Sequence, residues 1–310
     1  MTGDKTYIDN FNICLRQYLD LQDKPIAIGE NIDVASRISG MTKDIESVEN
    51  IRIVNTPNTE LTHCGIGFGI AATGGSVSLF CKQLDFLLLA LDQLANTHFL
   101  LKNSGLRGTF NIISFVCDQG FQGPQSSINN LSDFFSLSAV DIYCLDNVIG
   151  QDFDMLPCFN EPGVRIYALS QRCCKKLPQK TDVLAYDSGK TLCQFTRGKS
   201  GTILCFNFGL NHLLEKIGLD CFIDRYDLFS INYSVRLNLN MVLESLTYTR
   251  SLIIVDDSKS ISKFSDKVLA DLMTAAPMRF EVKHIIRPQL KHWVNDDEFL
   301  IDETIFQPIE

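Results

Sequence analysis

Short apolar runs alternate with helical periods along most of the chain, and this alternation limits the fold more than any other feature. The run 111–116 (Asn-Ile-Ile-Ser-Phe-Val) is mostly apolar on both faces, which is typical of a strand buried between two layers. Segments with apolar residues three and four positions apart lie between such runs. A chain of this kind builds a mainly parallel sheet covered by helices, so the sequence predicts an α/β sandwich.

The alternation occurs in two parts of the chain. In the first part we predict strands at 25–29, 51–54, 76–81, 111–116 and 140–145 and helices at 4–21, 60–73 and 84–101. Polar stretches at 178–181 and 187–190 then indicate a linker. In the second part we predict strands at 202–208, 220–223, 252–255 and 280–285 and helices at 211–217, 239–246 and 260–275. The sequence thus predicts two α/β sandwich domains, 1–180 and 190–310, which suits a length of 310 residues.

Composition and charge exclude several classes of partner. The chain has 28 basic and 37 acidic residues, a net charge of −9, and its longest basic block is Lys175-Lys176, so we expect no nucleic-acid partner. Asp92, Gln93 and Asn96 interrupt the most apolar stretch, so we expect no membrane partner. The 11 cysteines lack CxxC spacing and sit mostly in apolar runs. Buried thiols of this kind indicate a reducing compartment, and we predict a cytoplasmic protein.

Common catalytic motifs do not occur in the sequence. The five histidines show no metal-ligand spacing, so we expect no metal site built by this chain alone. Neither GxxxxGK[ST] nor GxSxG is present, which excludes a P-loop and the α/β-hydrolase triad. A dinucleotide fingerprint starting at Gly65 would need glycine at position 70, which is Ile70.

The predicted helix 60–73 carries an unusual number of glycines. Gly65, Gly69, Ala72 and Thr73 fall on one smooth helical face. Glycine destabilises a helix interior, so either tight packing or a ligand must compensate for it here. We therefore predict that this helix lies at a subunit or cofactor boundary.

Glu60 stands at the head of that helix, after a turn that contains Pro57. Two interpretations stay open: a carboxylate that complements the helix dipole, or a catalytic proton carrier in the nearly uncharged surroundings of residues 61–72. His63, one turn later, is the candidate for a second proton carrier.

Between residues 29 and 126 a set of short motifs occurs in a characteristic order. They are Gly29-Glu30-Asn31-Ile32, Pro57-Asn58-Thr59-Glu60, Gly69-Ile-Ala-Ala-Thr-Gly74, Asp85-Phe86, Ala90-Leu-Asp-Gln93 and Gly123-Pro-Gln125. In this order and spacing the chain resembles beta subunits of thiamine-diphosphate-dependent 2-oxo-acid dehydrogenases. Those subunits are relatives of the pyrimidine-binding and C-terminal domains of transketolase. The segment 241–255 resembles the helix and strand that follow the linker in that family.

The resemblance implies thiamine diphosphate and Mg²⁺ as cofactors, and it implies roles for individual residues. Glu60 would hydrogen-bond a ring nitrogen of the cofactor's pyrimidine and so help to activate the thiazolium ring. Phe86, with Phe80 and Gln83 nearby, would form the wall against the pyrimidine. Glu30 would lie near the same ring.

The sequence also departs from the family pattern. Phe80 stands where an acidic residue is usual, and Gln83 stands where an aromatic residue is usual. The predicted substrate and acceptor region, with Gln125, Ser126 and Ser127, lacks the histidine that assists acyl transfer to a lipoyl arm. The magnesium and diphosphate motif, Gly-Asp-Gly followed by Asn, is also absent. An alpha-like partner subunit is therefore expected to supply it.

These observations predict a beta-like subunit of a two-polypeptide enzyme, in a heterotetramer of two alpha-like and two beta-like chains. The resemblance implies that the enzyme decarboxylates or cleaves a 2-oxo acid or a ketose and transfers the acyl or ketol unit to a small-molecule acceptor. Three alternatives stay open: the C-terminal subunit of a split transketolase, an ordinary dehydrogenase beta subunit that acylates a lipoyl domain, and a non-catalytic scaffold subunit.

Overall fold

Two six-stranded sheets, each covered by helices, form the fold. The computed structural model describes residues 4–118, 120, 123, 127–287 and 299–306. All pairings in the first sheet are parallel, in the order β2-β1-β3-β4-β7-β5. The second sheet has the order β14-β13-β11-β12-β10-β9; β10 is antiparallel to both β12 and β9, and the other described pairings of this sheet are parallel. The predicted α/β class with mainly parallel sheets is confirmed.

In the first part of the chain, the described residues form eight strands and five helices. The strands are β1 (Ile26–Gly29), β2 (Arg52–Asn55), β3 (Ser76–Cys81), β4 (Thr109–Val116), β5 (Asp141–Leu145), β6 (Val148–Ile149), β7 (Gly163–Ser170) and β8 (Gln179–Lys180). The helices are α1 (Tyr7–Asp20), α2 (Arg37–Gly40), α3 (Glu60–Ala72), α4 (Leu91–Ser104) and α5 (Leu131–Ser138), with 3₁₀ turns at Ile45–Ser47 and Leu84–Ala90. Strands β6 and β8 pair only with each other.

Six strands and three helices lie in the second part of the chain, within the residues that the structure describes. The strands are β9 (Ala185–Tyr186), β10 (Leu192–Thr196), β11 (Gly198–Phe206), β12 (Asp224–Ile231), β13 (Ser251–Asp256) and β14 (Glu281–Ile286). The helices are α6 (Gly209–Lys216), α7 (Asn240–Thr249) and α8 (Phe264–Ala275), with 3₁₀ turns at Leu219–Cys221 and Glu303–Phe306.

Local sequence explains why these elements form where they do. Every residue of β4 is buried, as expected of a central parallel strand with both faces covered. Helix α1 begins with a capping box, in which Thr6 and Asp9 satisfy each other's backbone N–H groups. All eleven cysteines lie in the described residues, none forms a disulfide, and seven are buried.

The structure differs from the strand prediction in two ways: β6 to β10 were not predicted, and one predicted strand begins later in the chain. Strand β7 was not expected, because Gly163 and the charged Arg165 interrupt its apolar run. The Arg165 guanidinium turns back to the chain and donates to the carbonyls of Glu161 and Pro162, at 2.6 and 3.0 Å. The strand predicted at 220–223 begins instead at Asp224, after the 3₁₀ turn Leu219–Cys221.

The segment predicted as one helix at 84–101 has two parts. It begins as the 3₁₀ turn Leu84–Ala90 and continues as α4. Leu87, Leu94 and Leu101 pack in the core. Among the described residues, one helical stretch, Leu84–Ser104, is long and apolar enough to cross a membrane. This statement rests on its length and composition only.

Main-chain hydrogen bonds join the two parts of the chain. Ile142 in β5 and Tyr233 after β12 exchange two backbone bonds, of 2.9 and 3.0 Å. The backbone N–H of Cys144 donates to Oδ1 of Asn232 at 2.8 Å. Apolar residues from both sheets form one continuous cluster around this joint. The carboxyl edge of the second sheet is thereby held against the first sheet.

A second contact between the parts is an ion-pair network. Asp118, His212 and Asp257 bring possible ligand atoms within 4.8 Å of one another. Arg172 Nε lies 3.6 Å from Asp118 Oδ2, and Arg287 Nη2 lies 3.7 Å from Asp257 Oδ2. Each of the two carboxylates thus lies within 4 Å of an arginine nitrogen, and the cluster forms an ion-pair network between the parts.

Asp146 is a buried carboxyl group at the joint between the two parts. Ser230 Oγ donates to its Oδ2 at 2.6 Å, and within the described residues Oδ1 has no hydrogen-bond partner. Burial raises the pKa of Asp146 to about 7, and the hydrogen bond from Ser230 only partly opposes this rise.

We expect Asp146→Asn to stabilise the protein increasingly as pH rises. Between about pH 4 and about pH 7 the folded state holds a proton that the unfolded state has lost, so the free energy of unfolding of the native protein falls across this window. Asparagine has no proton to lose. The stability advantage of the variant should therefore grow by about 2–3 kcal/mol between about pH 5 and pH 8. Urea unfolding at both pH values measures it, and a difference independent of pH would contradict the assignment.

Candidate active site

The candidate site lies at the carboxyl ends of β1, β2 and β3, which is where parallel sheets commonly bind ligands. Glu30 directly follows β1, and Glu60 is the first residue of α3, which follows β2. Phe86 lies in the 3₁₀ turn that follows β3. Three separate connections thus bring side chains to one edge of the first sheet.

Backbone contacts fix the first two of these connections. Thr56 N donates to the carbonyl of Gly29 at 3.1 Å, and Asn55 Oδ1 accepts from Ile32 N at 2.9 Å. A Cβ atom at Gly29 would lie 2.7 Å from the carbonyl oxygen of Phe80. Only glycine therefore allows β1 to pass β3 this closely beside the site.

A cavity of about 260 Å³ lies at this edge. It brings together five of the predicted site residues: Glu30, Glu60, His63, Phe80 and Phe86. The roles implied for them stay predictions. The other side chains that line the cavity are Asn31, Ser36, Ile38, Asn58, Cys81 and Lys82.

Glu60 is the buried carboxylate of this cavity, with 6% of its surface exposed. Burial raises the pKa of the Cys64 thiol to about 12, and the charge of Glu60 adds to that rise. Burial also raises the pKa of Cys81 and of Asp85, with a further contribution from Glu60 to each. Among the described residues, no Lys or Arg forms an ion pair with Glu60. Its carboxylate therefore faces the cavity among neutral thiols.

His63 lies one helical turn after Glu60 and is also buried. Its Nε2 atom is 2.6 Å from Thr56 Oγ1 and 3.4 Å from Thr59 Oγ1. The turn before α3 thus fixes the orientation of the imidazole ring through two hydroxyl groups. This is the geometry expected of a positioned histidine, whether its role is structural or catalytic.

Two further predicted site residues, Gln83 and Ser127, are not among the residues that line this cavity. Gln83 is buried as the residue that precedes the 3₁₀ turn Leu84–Ala90. The carbonyl oxygen of Ser127 accepts a hydrogen bond from Lys259 Nζ at 3.0 Å. Gln125 and Ser126 lie outside the described residues.

Sequence reasoning missed Asn58 and Lys82 as cavity residues. Both follow directly from the predicted strands: Asn58 lies in the connection after β2, and Lys82 is the first residue after β3. The rule that ligands bind at the carboxyl ends of parallel strands could have identified them. Lys82 is the cationic side chain among the residues that line this cavity.

The glycines of α3 face in two directions. A Cβ atom at Gly67 would lie 2.4 Å from the ring of Phe110, so this glycine packs into the core. Cβ atoms at Gly65 and Gly69 would meet no atom of the described residues within 4 Å. The predicted smooth face is therefore open in this chain.

Exposed apolar side chains surround the open glycine face. They lie on α3, on the 3₁₀ turn Leu84–Ala90 and on α4, which pack against one another. We call these residues the α3–α4 patch: Leu61, Ile66, Leu88, Leu89, Phe99 and Leu100. Leu89 alone is 68% exposed. An apolar patch of this kind indicates an interaction surface, and Leu61 places it directly beside Glu60.

Comparison with known proteins identifies the fold. No protein-family model and no curated protein matches the sequence. Among solved structures, the chain is similar to one described as "Split gene transketolase, inactive beta4 tetramer", with a TM-score of 0.64. The similarity covers 93% of this chain and 91% of that chain at 13% sequence identity. The chain has a transketolase-like fold. At this identity the likeness is one of fold, and the chemistry has to be argued from the site.

Proposed function

We propose that this chain is the beta-like subunit of a two-polypeptide thiamine-diphosphate enzyme that acts on a 2-oxo acid or a ketose. The observation that supports this proposal most is the buried Glu60 carboxylate, which faces a cavity walled by Phe80 and Phe86 at the carboxyl edge of a transketolase-like sheet. The C-terminal subunit of a split transketolase is the version of this function that the structural likeness favours.

The cavity residues fit one half of the cofactor. A flat aminopyrimidine presents aromatic faces and ring nitrogens, which suit Phe80, Phe86 and the carboxylate of Glu60. The diphosphate half does not fit, because the cavity carries the two carboxylates of Glu30 and Glu60 against the single cation of Lys82. A partner subunit must therefore hold the diphosphate and Mg²⁺.

The residues of this chain have distinct tasks in the proposed reaction. When bound, thiamine diphosphate supplies the nucleophile that attacks the carbonyl carbon of the substrate. Glu60 would exchange a proton between its carboxyl group and a ring nitrogen of the cofactor's pyrimidine. Phe80 and Phe86 orient the ring and exclude water. His63, oriented by Thr56, stands one turn away as a second proton carrier.

The α3–α4 patch is the surface that we propose for the partner subunit. It is apolar, it borders Glu60, and it contains the open face of Gly65 and Gly69. A partner seated there would lie next to the cavity, because Leu61 of the patch directly follows Glu60 in α3. A tetramer of beta chains alone is inactive in the similar solved structure, and we expect the same of this chain without its partner.

We expect Gly69→Leu to prevent assembly with the partner while the chain itself stays folded. A Cβ atom at this position meets no atom of the described residues within 4 Å, whereas the whole leucine side chain would overpack a closely approaching helix. Gln17→Leu, which also places a leucine on an exposed helix surface, here on α1, should leave assembly intact. Size-exclusion chromatography with light scattering measures the mass, and a complex of unchanged mass with Gly69→Leu would remove α3 from the interface.

We also propose that the natural acceptor is a small aldehyde or ketone. Acylation of a lipoyl arm needs a proton donor near the reacting carbon, and in this chain the region has Ser126 and Ser127 in place of a histidine. A serine hydroxyl holds its proton too tightly near neutral pH, unlike an imidazolium group.

One assay tests both the proposed acceptor and the proposed function. The complex that co-purifies with this chain is incubated with 2-oxo acids or ketoses and with either aldehydes or a lipoyl domain, and mass spectrometry identifies the products. We expect carboligation products from aldehydes. Efficient acylation of the lipoyl domain would refute the acceptor proposal alone. No turnover of any 2-oxo acid or ketose would refute the proposed function and favour a scaffold subunit.

A further inference from the structure

A second cavity, of about 370 Å³, lies at the opposite edge of the first sheet, where β5 and β7 begin. The end of α4 and the turn before β7 form two of its walls. Val235 and Arg236, from the second part of the chain, close it. Its volume falls within the range of small-molecule sites. None of the residues in the candidate active site contributes to it.

Basic side chains converge on this second cavity. Lys102, Arg165 and Arg236 line it together with His98. Two carboxylates, Asp141 and Glu161, are also present. Each carboxylate is already engaged by an arginine of the cavity. Lys102 has no hydrogen bond or ion pair among the described residues, so the wall carries one uncompensated positive charge.

Arg165 is the unusual member of this group, because only 4% of its surface is exposed. Two of its nitrogens donate to the carbonyls of Glu161 and Pro162. Its Nε atom is buried and has no hydrogen-bond partner within the described residues. Buried N–H groups of arginine are almost always bonded to protein, water or a ligand. Arg165 therefore has a donor left over beside the cavity.

The ion pairs around Arg165 differ in strength. Arg236 Nη2 lies 2.6 Å from Asp141 Oδ2, a direct pair between the two parts of the chain. Arg165 Nη2 lies 3.7 Å from Glu161 Oε2, and the Glu161 side chain is 58% exposed. A ligand with two negative charges could replace Glu161 at Arg165, because a pair at 3.7 Å whose carboxylate is mostly in solvent is weak. The carbonyls at the end of α4 would repel an anion, so we expect the anion to lie next to Arg165 and Arg236.

The surroundings of His98 also indicate an excess of positive charge in the cavity. Its Nε2 atom is buried, and no hydrogen-bond partner for it lies within the described residues. Burial lowers the pKa of His98, with further lowering by Lys102, Arg236 and Arg165 and an opposing effect of Asp141. An anion in the cavity would reverse the influence of these three cations on the imidazole.

We propose that this second cavity binds a small oxyanion with two negative charges, of the phosphate or dicarboxylate class. Arg165, Arg236 and Lys102 would hold it, with His98 as a further donor. Since Arg236 belongs to the second part of the chain, the anion would bridge the two parts and stabilise their contact. This proposal does not depend on the reaction proposed for the first cavity.

The test is thermal unfolding of the full chain in inorganic phosphate, compared with chloride at equal ionic strength. We expect phosphate to raise Tm by at least about 3 °C. Lys102→Gln should lose most of this rise. Arg107→Gln is the matched control, because Arg107 is an exposed basic residue shortly after α4 that does not line the cavity. This variant should keep the rise of Tm. A parallel series with malonate shows whether the cavity prefers a dicarboxylate or a phosphate.

A second measurement locates the anion. Phosphate should raise the pKa of His98. NMR of the imidazole measures this pKa, and the His98→Asn variant assigns the signal. No rise of Tm in the native chain, an equal rise in Lys102→Gln, or an unchanged titration of His98 would each overturn the proposal. Only the phosphate-dependent increment of each variant counts, so a change of basal stability cannot imitate the result.

Discussion

Glu60→Gln should lower the turnover of the assembled enzyme by about 100-fold or more and leave the fold intact. Glutamine has nearly the same shape, so the packing beside Cys64 and Cys81 is kept. Its amide cannot give and take a proton at the pyrimidine ring. The loss should appear in kcat at saturating cofactor, because the missing interaction acts in the reaction rather than in binding.

Two controls make this result specific. Glu49→Gln makes the same chemical change at an exposed position outside the cavity, and it should leave kcat unchanged. The Tm of Glu60→Gln should stay close to that of the native chain. Near-normal turnover in Glu60→Gln would reduce Glu60 to a carboxylate that complements the dipole of α3.

The isolated chain should bind thiamine diphosphate with Mg²⁺ at least about 100-fold more weakly than the complex with its partner does. Glu30 and Glu60 give the cavity an excess of negative charge that repels a diphosphate. The chain also lacks the Gly-Asp-Gly motif that would hold the metal. Titration calorimetry on the chain and on the complex measures the difference. Micromolar, magnesium-dependent binding by the chain alone would show that the diphosphate site is not in a partner.

Strands that are apolar on both faces could be predicted from the sequence, and strands with buried polar groups could not. The prediction at 111–116 lies within β4, which is buried throughout. Strand β7 carries Arg165, which donates hydrogen bonds to two nearby backbone carbonyls. No sequence pattern reveals these bonds. Strand β12 begins with polar residues, and its Asp227 is buried because Gly198 N and the Tyr248 hydroxyl donate to it.

The candidate site was predictable where side chains follow neighbouring parallel strands. Glu30, Glu60 and Phe86 lie together because β1, β2 and β3 are adjacent in the sheet. The place of Gln83 depends on the 3₁₀ turn that follows it, and residue spacing suggested a regular helix there. The second cavity needs Arg236 from the other part of the chain, so only the three-dimensional contact between the parts reveals it.

The most direct test of the central claim is the exchange of the thiazolium C2 proton for deuterium in the assembled enzyme. The claim is that Glu60 of this chain activates the cofactor, and this exchange measures that activation without substrate or acceptor. We expect exchange in the native complex to be at least as fast as turnover, and in Glu60→Gln to be about 100-fold slower. An exchange rate that the substitution leaves unchanged, with the cofactor bound, would contradict the claim.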